Sequence, residues 1–586
     1  MDSDSSCAHA RASGVLRAFA RRTNLLVASR RFAILGSGPD AAALQDIILR
    51  IGGRQVGLTD PLDYLFWLDG DVDIAEVIAG IAPTADERPL IVIDARRRDG
   101  EDVAAAAGLA ALDDLVGDPT EVRPGVVEYT HSGRPFCLVT TNEVVADAEA
   151  GTAAGAGADR IAWARRFMTV TRTLATELSE TGAATGIRIG LSMVLEPKTA
   201  VLALLLRGAG AEVDVYAHSD ETDDDVAEAL RAEGLSVFAS SAAGFDEQRE
   251  LARQFLRRRP QILLDDGSNL IRLAHLETPD ILERSAADGM IGAAEETTSG
   301  LRPLRVMHAE NALHIPVIAV NDAQSKTSFD NLYGTGQSCV FAILDLLDGA
   351  PVATGAAAFD MSRARVAVAG FGPVGQGVAR HCAALGAHVT ISETDPVRAL
   401  QAAFVGYDVT PLARAVVDAD IVISATGIAA TIGVDILERC AHDAVIAVAG
   451  GVPQEISIDA AVVAGASRET VARKVERFVF PQGHGVASSA VRILDDGGCI
   501  NITAGEGNPI EIMDLSFGVQ VEAVARLLND GRALAPGIHP LSPDADARVA
   551  GAALAVTGLA VDTASAVQTE SLASWRPVRF VSGLDS

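Results

Sequence analysis

Residues 366–369 (VAVA) are apolar enough for one buried strand, and they run without a spacer into Gly370-Phe371-Gly372-Pro373-Val374-Gly375, after which a helical pattern continues over 374–385. Few folds accept this order. The first glycine permits a tight turn, the second lets a phosphate approach the backbone, and the third lets the helix pack against the strand. The unpaired N–H groups that open such a helix suit a pyrophosphate. Glu393 follows the next strand, residues 389–392, where a carboxylate accepts both ribose hydroxyls of a dinucleotide and repels a 2′-phosphate. Three glycines alone occur in many turns. With the strand before, the helix after and the spaced acid, they predict an NAD site at Gly370, Gly372, Val374, Gly375 and Glu393, on a parallel α/β sheet.

At 586 residues the chain exceeds what one core organises. The pattern divides it into an arm (1–30), a small α/β domain (31–150), a doubly wound Rossmann-like domain (151–350), the dinucleotide domain (351–505) and a C-terminal helical region (506–586). In the small domain, residues 31–35, 89–94 and 135–140 read as strands and 41–51 as a helix. Gly36 and Gly38 lack a third glycine and a spaced acid, so this turn is read as structural. The Ala/Gly-rich stretch 146–158 reads as a linker. Residues 160–180 have helical period, and strands at 187–191, 213–216, 236–238, 262–264 and 316–320 alternate with helices at 199–208, 223–233 and 247–258, which predicts a parallel sheet. A helix over 337–347 leads into the dinucleotide domain, and helices over 519–528 and 545–554 close the chain.

Charge and cysteine use narrow the function classes. With 78 acidic against 48 basic residues, a net charge of −30 disfavours nucleic acid and anionic membranes as partners. Six scattered cysteines without a CxxC pair argue against disulfides and a zinc site, so no metal is expected and a reducing cytoplasm fits. The arginines of residues 1–30 precede too short an apolar run for a signal peptide. Lysine occurs only at 198, 326 and 474. Unlike arginine, a buried lysine can have its pKa lowered into the working range, so each is a candidate for proton chemistry.

Residues 370–406 (GFGPVGQGVARHCAALGAHVTISETDPVRALQAAFVG), 295–300 (EETTSG) and 320–334 (VNDAQSKTSFDNLYG) resemble elements of the S-adenosylhomocysteine hydrolases. Asp265-Asp266-Gly267 and 186–200 (GIRIGLSMVLEPKTA) resemble earlier family elements, and a weaker likeness runs through 501–520 to about 570, while residues 1–150 lie outside it. The resemblance implies a substrate-binding and an NAD-binding domain and a homotetramer or dimer. It implies that bound NAD oxidises the 3′-hydroxyl of a nucleoside, the ketone acidifies the C4′ hydrogen, the 5′ substituent leaves, water adds and the ketone is reduced back. A C–H beside a carbonyl is far more acidic than one beside a carbinol, which is why that order works. Carried over residue by residue, Lys326 and Asp330 handle the 3′-hydroxyl proton, Glu296 holds the ribose hydroxyls and Asp266 lies near C4′ and C5′. Thr297, Thr298, Asn331, Thr426 and Asn501 fall on cofactor positions, and Glu196, Lys198, Asn321 and Met513 on substrate positions. A single loop carboxylate usually caps a helix or meets water; the joint pattern at Lys326, Asp330 and Asn331 overrides that reading.

Three positions depart from the pattern. Val194 and Gly451 stand where the family places histidines, and Gly507-Asn508-Pro509 stands for Gly-His-Pro. Neither Val194 nor Gly451 can exchange a proton near pH 7. His275, His308 and His484 are the candidates to compensate, and the family's C-terminal lysine and tyrosine have no counterpart in the final RPVRFVSGLDS. Lys198 replaces an acidic or amide group, and donors alone suit a carbonyl on the base, which points away from adenine. The sequence therefore predicts an NAD-dependent hydrolase or lyase acting on a purine nucleoside, by thioether hydrolysis or by dehydration to a 4′,5′-unsaturated product. A silent NAD-binding regulatory homologue and a plain nucleoside 3′-dehydrogenase are the alternatives.

Overall fold

The computed structural model describes residues 3–70, 72, 74–84, 88–96, 119–131, 133–141, 156–284, 288–348, 359–451, 454–481 and 490–575. Most of the expected linker, the expected domain boundaries near 150 and 350, Val452, His484 and the final eleven residues fall outside that set.

The described residues build three α/β layers. The middle sheet runs Ser236–Phe238, Glu212–Tyr216, Arg188–Ser192, Ile262–Asp265, Gly292–Glu295, Pro316–Ala319, Gly537–Pro540, every neighbouring pair parallel. Its central strands are buried on both faces, as apolar runs such as Ile262-Leu263-Leu264 and PVIA require. The third sheet runs Asp408–Val409, His388–Ser392, Arg365–Ala369, Ile421–Ser424, Ala444–Val448, Ala490–Leu494, Val475–Val479, Ser467–Ala472, parallel through the first six. Its order reverses at Arg365–Ala369, the position where doubly wound sheets open a crevice.

The N-terminal sheet holds Arg54–Gln55, Arg31–Leu35, Tyr64–Trp67, Leu90–Asp94, Arg134–Thr140, Val126–His131 and Thr120–Arg123. Pattern reading finds three of these strands and misses the others. The run YLFW is buried but too short to show a period, and the hairpin closing at Pro124-Gly125 has only half-buried strands.

Three more expectations change. The segment expected as an arm is the helix Ser3–Thr23, held to the helix Thr335–Asp348 by Arg17 ion pairs to Asp345 (2.8 Å) and Asp348 (2.6 Å). The single helix expected over 160–180 is two, Ala156–Phe167 and Thr169–Thr181, because Asp514 accepts the backbone N–H groups of Val170 (2.8 Å) and Thr171 (2.7 Å) and so caps a second start. The C-terminal region contributes an edge strand, Gly537–Pro540, besides the helices Ile510–Asp530 and Pro543–Thr557; pairing with Pro316–Ala319 decides this, since GIHP carries no strand pattern of its own. No helix among the described residues is long and apolar enough to cross a membrane.

Residues 23–27 are threaded through the body of the molecule. Trp163 Nε1 donates to the Thr23 carbonyl (2.8 Å), the Ile510 amide to the Asn24 carbonyl (2.9 Å) and the Leu26 amide to Glu511 (2.9 Å). Gln337, 2% exposed, completes this: its amide accepts from Val27 N (2.9 Å) and donates to Leu25 O (2.9 Å). Gln337→Ala would leave two buried backbone groups unpaired. We expect a loss of roughly 2–4 kcal/mol, read as a lower denaturant midpoint; an unchanged midpoint would contradict this accounting.

Candidate active site

The turns at the C-terminal ends of five central strands of the middle sheet face those of the third sheet across a cavity of about 670 Å³. The turn after Ile262–Asp265 presents Asp266, that after Gly292–Glu295 presents Glu296, and that after Pro316–Ala319 presents Asn321. Neighbouring acids at these strand ends have opposite duties. Asp265, fully buried, accepts the Ile271 amide (2.8 Å), while Asp266 lines the cavity. Glu295, also buried, accepts the amides of Gly267 (2.9 Å) and Thr297 (3.0 Å), while Glu296 lines the cavity.

Lys326 rises from the one-turn helix Gln324–Thr327, whose N–H groups at Gln324 (2.8 Å) and Ser325 (3.0 Å) are accepted by Asp546 of Pro543–Thr557. A π-helical turn, Asp330–Gly334, follows. It brings Asp330 to 3.0 Å and Asn331 Oδ1 to 3.0 Å from Lys326 Nζ, with Glu296 at 3.7 Å. Asn508 donates to Asp330 (2.6 Å) and is itself held by Asn501 (2.9 Å) and Ser338 (2.7 Å). Glu296 is held by Ser516 and by Gln520 (2.6 Å), one helical turn apart on Ile510–Asp530.

The lysine expectation changes sign here. Burial disfavours the Lys326 ammonium, but Asp330 and Glu296 outweigh it, and its pKa is raised above the ordinary lysine value. The carboxyls pay for this crowding: burial, only partly offset by Lys326, pushes Glu296 up to about 7 and Asp266 to about 6. Beside one ammonium, Glu296 and Asp266 thus exchange protons near neutral pH.

Across the cavity, Arg365–Ala369 enters the turn at Gly370 (φ +96°). A Cβ on Gly375 would strike the Gly370 carbonyl, which is why that position tolerates no side chain. Gly372 starts the helix Pro373–Ala384 without a side-chain cap, this helix start lines the cavity at Gly372, Pro373 and Val374, and a Cβ on Gly372 would meet only the Arg398 guanidinium, at 3.5 Å. Glu393 stands beside the turn, accepting the Phe371 (2.7 Å), Thr394 (2.7 Å) and Asp395 (3.0 Å) amides. Burial works against its carboxylate, but these bonds prevail and lower its pKa. An open glycine turn, free helix N–H groups and an ionised acid fit a dinucleotide. Close packing fixes the turn relative to Lys326: Cβ atoms at Gly336 and Gly377 would strike Gly377 and the Leu332 carbonyl.

Residues 145–288 match the family model for S-adenosyl-L-homocysteine hydrolase, and residues 340–507 match the model for its NAD-binding domain. The chain is 37% identical over 423 residues to S-inosyl-L-homocysteine hydrolase of Methanopyrus kandleri, covering 72% of this chain and 95% of that protein. It is 35% identical over 424 residues to adenosylhomocysteinase of Thermotoga maritima, covering 72% and 99%. The chain belongs to the S-adenosyl-L-homocysteine hydrolase family. It is an NAD-dependent enzyme of that family, and residues 1–144 have no counterpart in either family model.

All the family positions named from the sequence line the cavity except Gly375 and Lys198: Asp266, Glu296, Lys326 and Asp330; Gly370, Gly372, Val374, Glu393, Thr297, Thr298, Asn331, Thr426 and Asn501; Glu196, Asn321 and Met513. Gly375 acts from within the turn. Lys198, 1% exposed, spends its ammonium on Glu196 (2.7 Å), Asn24 (3.0 Å) and the Glu506 carbonyl (2.7 Å). Three donors meet three acceptors, so Lys198 is a strut behind Glu196, and the argument it offered for a base other than adenine falls. Lys474 pairs with Asp495 (3.0 Å) away from the cavity.

Val194 and Gly451 do line the cavity, as the family's histidine positions would. Of the proposed replacements, His275 and His308 do not, and His484 lies outside the described residues. His275 hydrogen-bonds the Ile271 carbonyl (2.7 Å) and the His314 amide (3.0 Å), and His308 packs against Gly537. Among the lining residues that sequence reading missed are Cys499 and His218, Asp220 and Glu221, the last three within the polar run HSDE that begins two residues after the strand Glu212–Tyr216. Its position at a parallel strand's C-terminal end was the available signal. Gly375→Ala is expected to yield a folded protein that purifies without NAD, measured as cofactor released on denaturation; wild-type cofactor content would contradict the assigned turn.

Proposed function

We propose that this enzyme acts on a 5′-substituted purine nucleoside by transient oxidation at C3′ and elimination across C4′ and C5′. The observation that carries this reading is the group Lys326, Asp330, Glu296 and Asp266 facing the dinucleotide turn across one cavity. NAD, held by Gly370, Gly372, the start of Pro373–Ala384 and Glu393, supplies a reversible hydride acceptor there. The chain's own groups manage protons and position. Glu296, gripped by Ser516 and Gln520, orients the ribose hydroxyls. The Lys326 ammonium stabilises negative charge as the 3′-oxygen loses its proton, and the proton enters the shared network through Asp330 at 3.0 Å. Asp266 takes the C4′ hydrogen as a carboxylate.

Val194 and Gly451 favour a second outcome, in which elimination is not followed by water addition and the product is a 4′,5′-unsaturated nucleoside. Both outcomes share the oxidation half-reaction.

Incubating the NAD-loaded enzyme with S-adenosyl-L-homocysteine, S-inosyl-L-homocysteine, adenosine and inosine should give a reduced-cofactor absorbance with at least one of them. Homocysteine release marks hydrolysis, and loss of water marks dehydration. Lys326→Ala should slow cofactor reduction by about 10²–10⁴-fold. Neither homocysteine, unsaturated product nor reduced cofactor from any of the four would contradict the proposal. Because Asp266 must be ionised to accept a proton and titrates at about 6, turnover should fall as pH drops through about 6. Asp266→Asn should abolish turnover while cofactor reduction persists.

A further inference from the structure

The two histidine positions that this chain lacks flank one turn. Leu195, next to Val194, donates its amide to the Glu221 carbonyl (2.9 Å), and the Asp223 amide returns to the Leu195 carbonyl (3.0 Å). On the other side, a Cβ at Gly451 would meet Cys499 Sγ at 3.6 Å, and Cys499 and Glu221 line the same cavity as Asp266. The short helix Ser219–Glu221 therefore puts Glu221 on the wall of the same cavity as Val194, Gly451 and Cys499.

Among the described residues no hydrogen-bond donor reaches the Glu221 carboxyl, and its charged neighbours are Asp266, Asp220 and Asp265. Burial and these three acids push it up to about 8, so it carries a proton at neutral pH. His218, three residues earlier, is arranged as a donor. Ser219 Oγ donates to Gln248 Oε1 (2.9 Å), which turns Gln248 Nε2 toward His218 Nδ1. Neutral His218 then keeps its proton on Nε2, which is buried and has no partner. Burial, first of all, holds the pKa of His218 below the usual imidazole value.

We propose that Glu221 is the acid that protonates the 5′ leaving atom. This rests on the elimination chemistry proposed above. The C4′–H proton goes to Asp266, and its electron pair becomes the C4′=C5′ bond. The C5′–X pair departs with X, and X takes the Glu221 proton, leaving a carboxylate. Where water adds, the same carboxylate takes a proton from it as its oxygen bonds to C5′, and the C4′=C5′ pair takes back the Asp266 proton at C4′. An acid at this point matters most for a leaving oxygen, because a thiolate departs without help and hydroxide does not.

The test uses full-length, NAD-loaded Glu221→Gln with S-adenosyl-L-homocysteine, S-inosyl-L-homocysteine, adenosine and inosine. Cofactor reduction and exchange of the 4′-hydrogen with deuterated solvent should stay near wild type. Loss of the 5′ group should fall about 10²–10⁴-fold, most for the 5′-hydroxyl substrates, and Glu221→Asp should restore part of it. The fall in wild-type turnover above about pH 8 should be missing from what remains in Glu221→Gln. Wild-type release of the 5′ group by the variant, or an equal loss of cofactor reduction, would overturn the assignment. A wild-type enzyme that never reduces its cofactor would instead refute the oxidation chemistry on which it rests.

Discussion

One ammonium, Lys326, faces Asp330 at 3.0 Å and Glu296 at 3.7 Å, with Asp266 on the same wall, all of them largely withdrawn from water. Charges taken out of water cost several kcal/mol each unless paired and hydrogen-bonded, and one cation cannot pair with three anions. Burial and this crowding push Glu296 up to about 7 and Asp266 to about 6, so both exchange protons near neutral pH. A buried excess of acid, costly for stability, thereby gains groups that can exchange protons near neutral pH.

Much of the fold serves to hold that group still. Ile510–Asp530 supplies Ser516 and Gln520 to Glu296 from one face, and Glu511 and Asp514 to residues 24–27 and to the start of Thr169–Thr181 from others. Pro543–Thr557 caps the lysine turn through Asp546. The N-terminal layer reaches the site as well: Asn24 holds Lys198, which holds Glu196, while Arg123 pairs with Glu506 (2.7 Å) in the loop that leads to Asn508. The part of the chain without counterpart in either family model therefore braces the cavity wall from behind, at Glu196 and at the loop before Asn508.

Local chemistry was legible in the sequence, and long-range chemistry was not. The strand, glycine turn, helix and Glu393 follow from steric demands within a few residues, and the motif around Lys326 folds as one continuous turn. The run HSDE gives no sign by itself; its role depends on a parallel sheet that sets the end of Glu212–Tyr216 beside Ile262–Asp265 across the intervening strand. Lys198 illustrates the reverse failure. Its type and position pointed at a base, but Asn24 and Glu506, 174 and 308 residues away, take its protons. Burial of Lys326 was foreseen with the wrong sign, because the number of facing carboxylates is a property of the assembled site.

The central claim is that a hydrogen leaves C3′ of a bound nucleoside under the control of the Lys326 group. The most direct test is transient kinetics of cofactor reduction with a nucleoside substrate carrying deuterium at C3′. The account predicts a primary isotope effect on that first phase and none from deuterium at C4′. An isotope effect confined to C4′, or reduction indifferent to both labels, would contradict it.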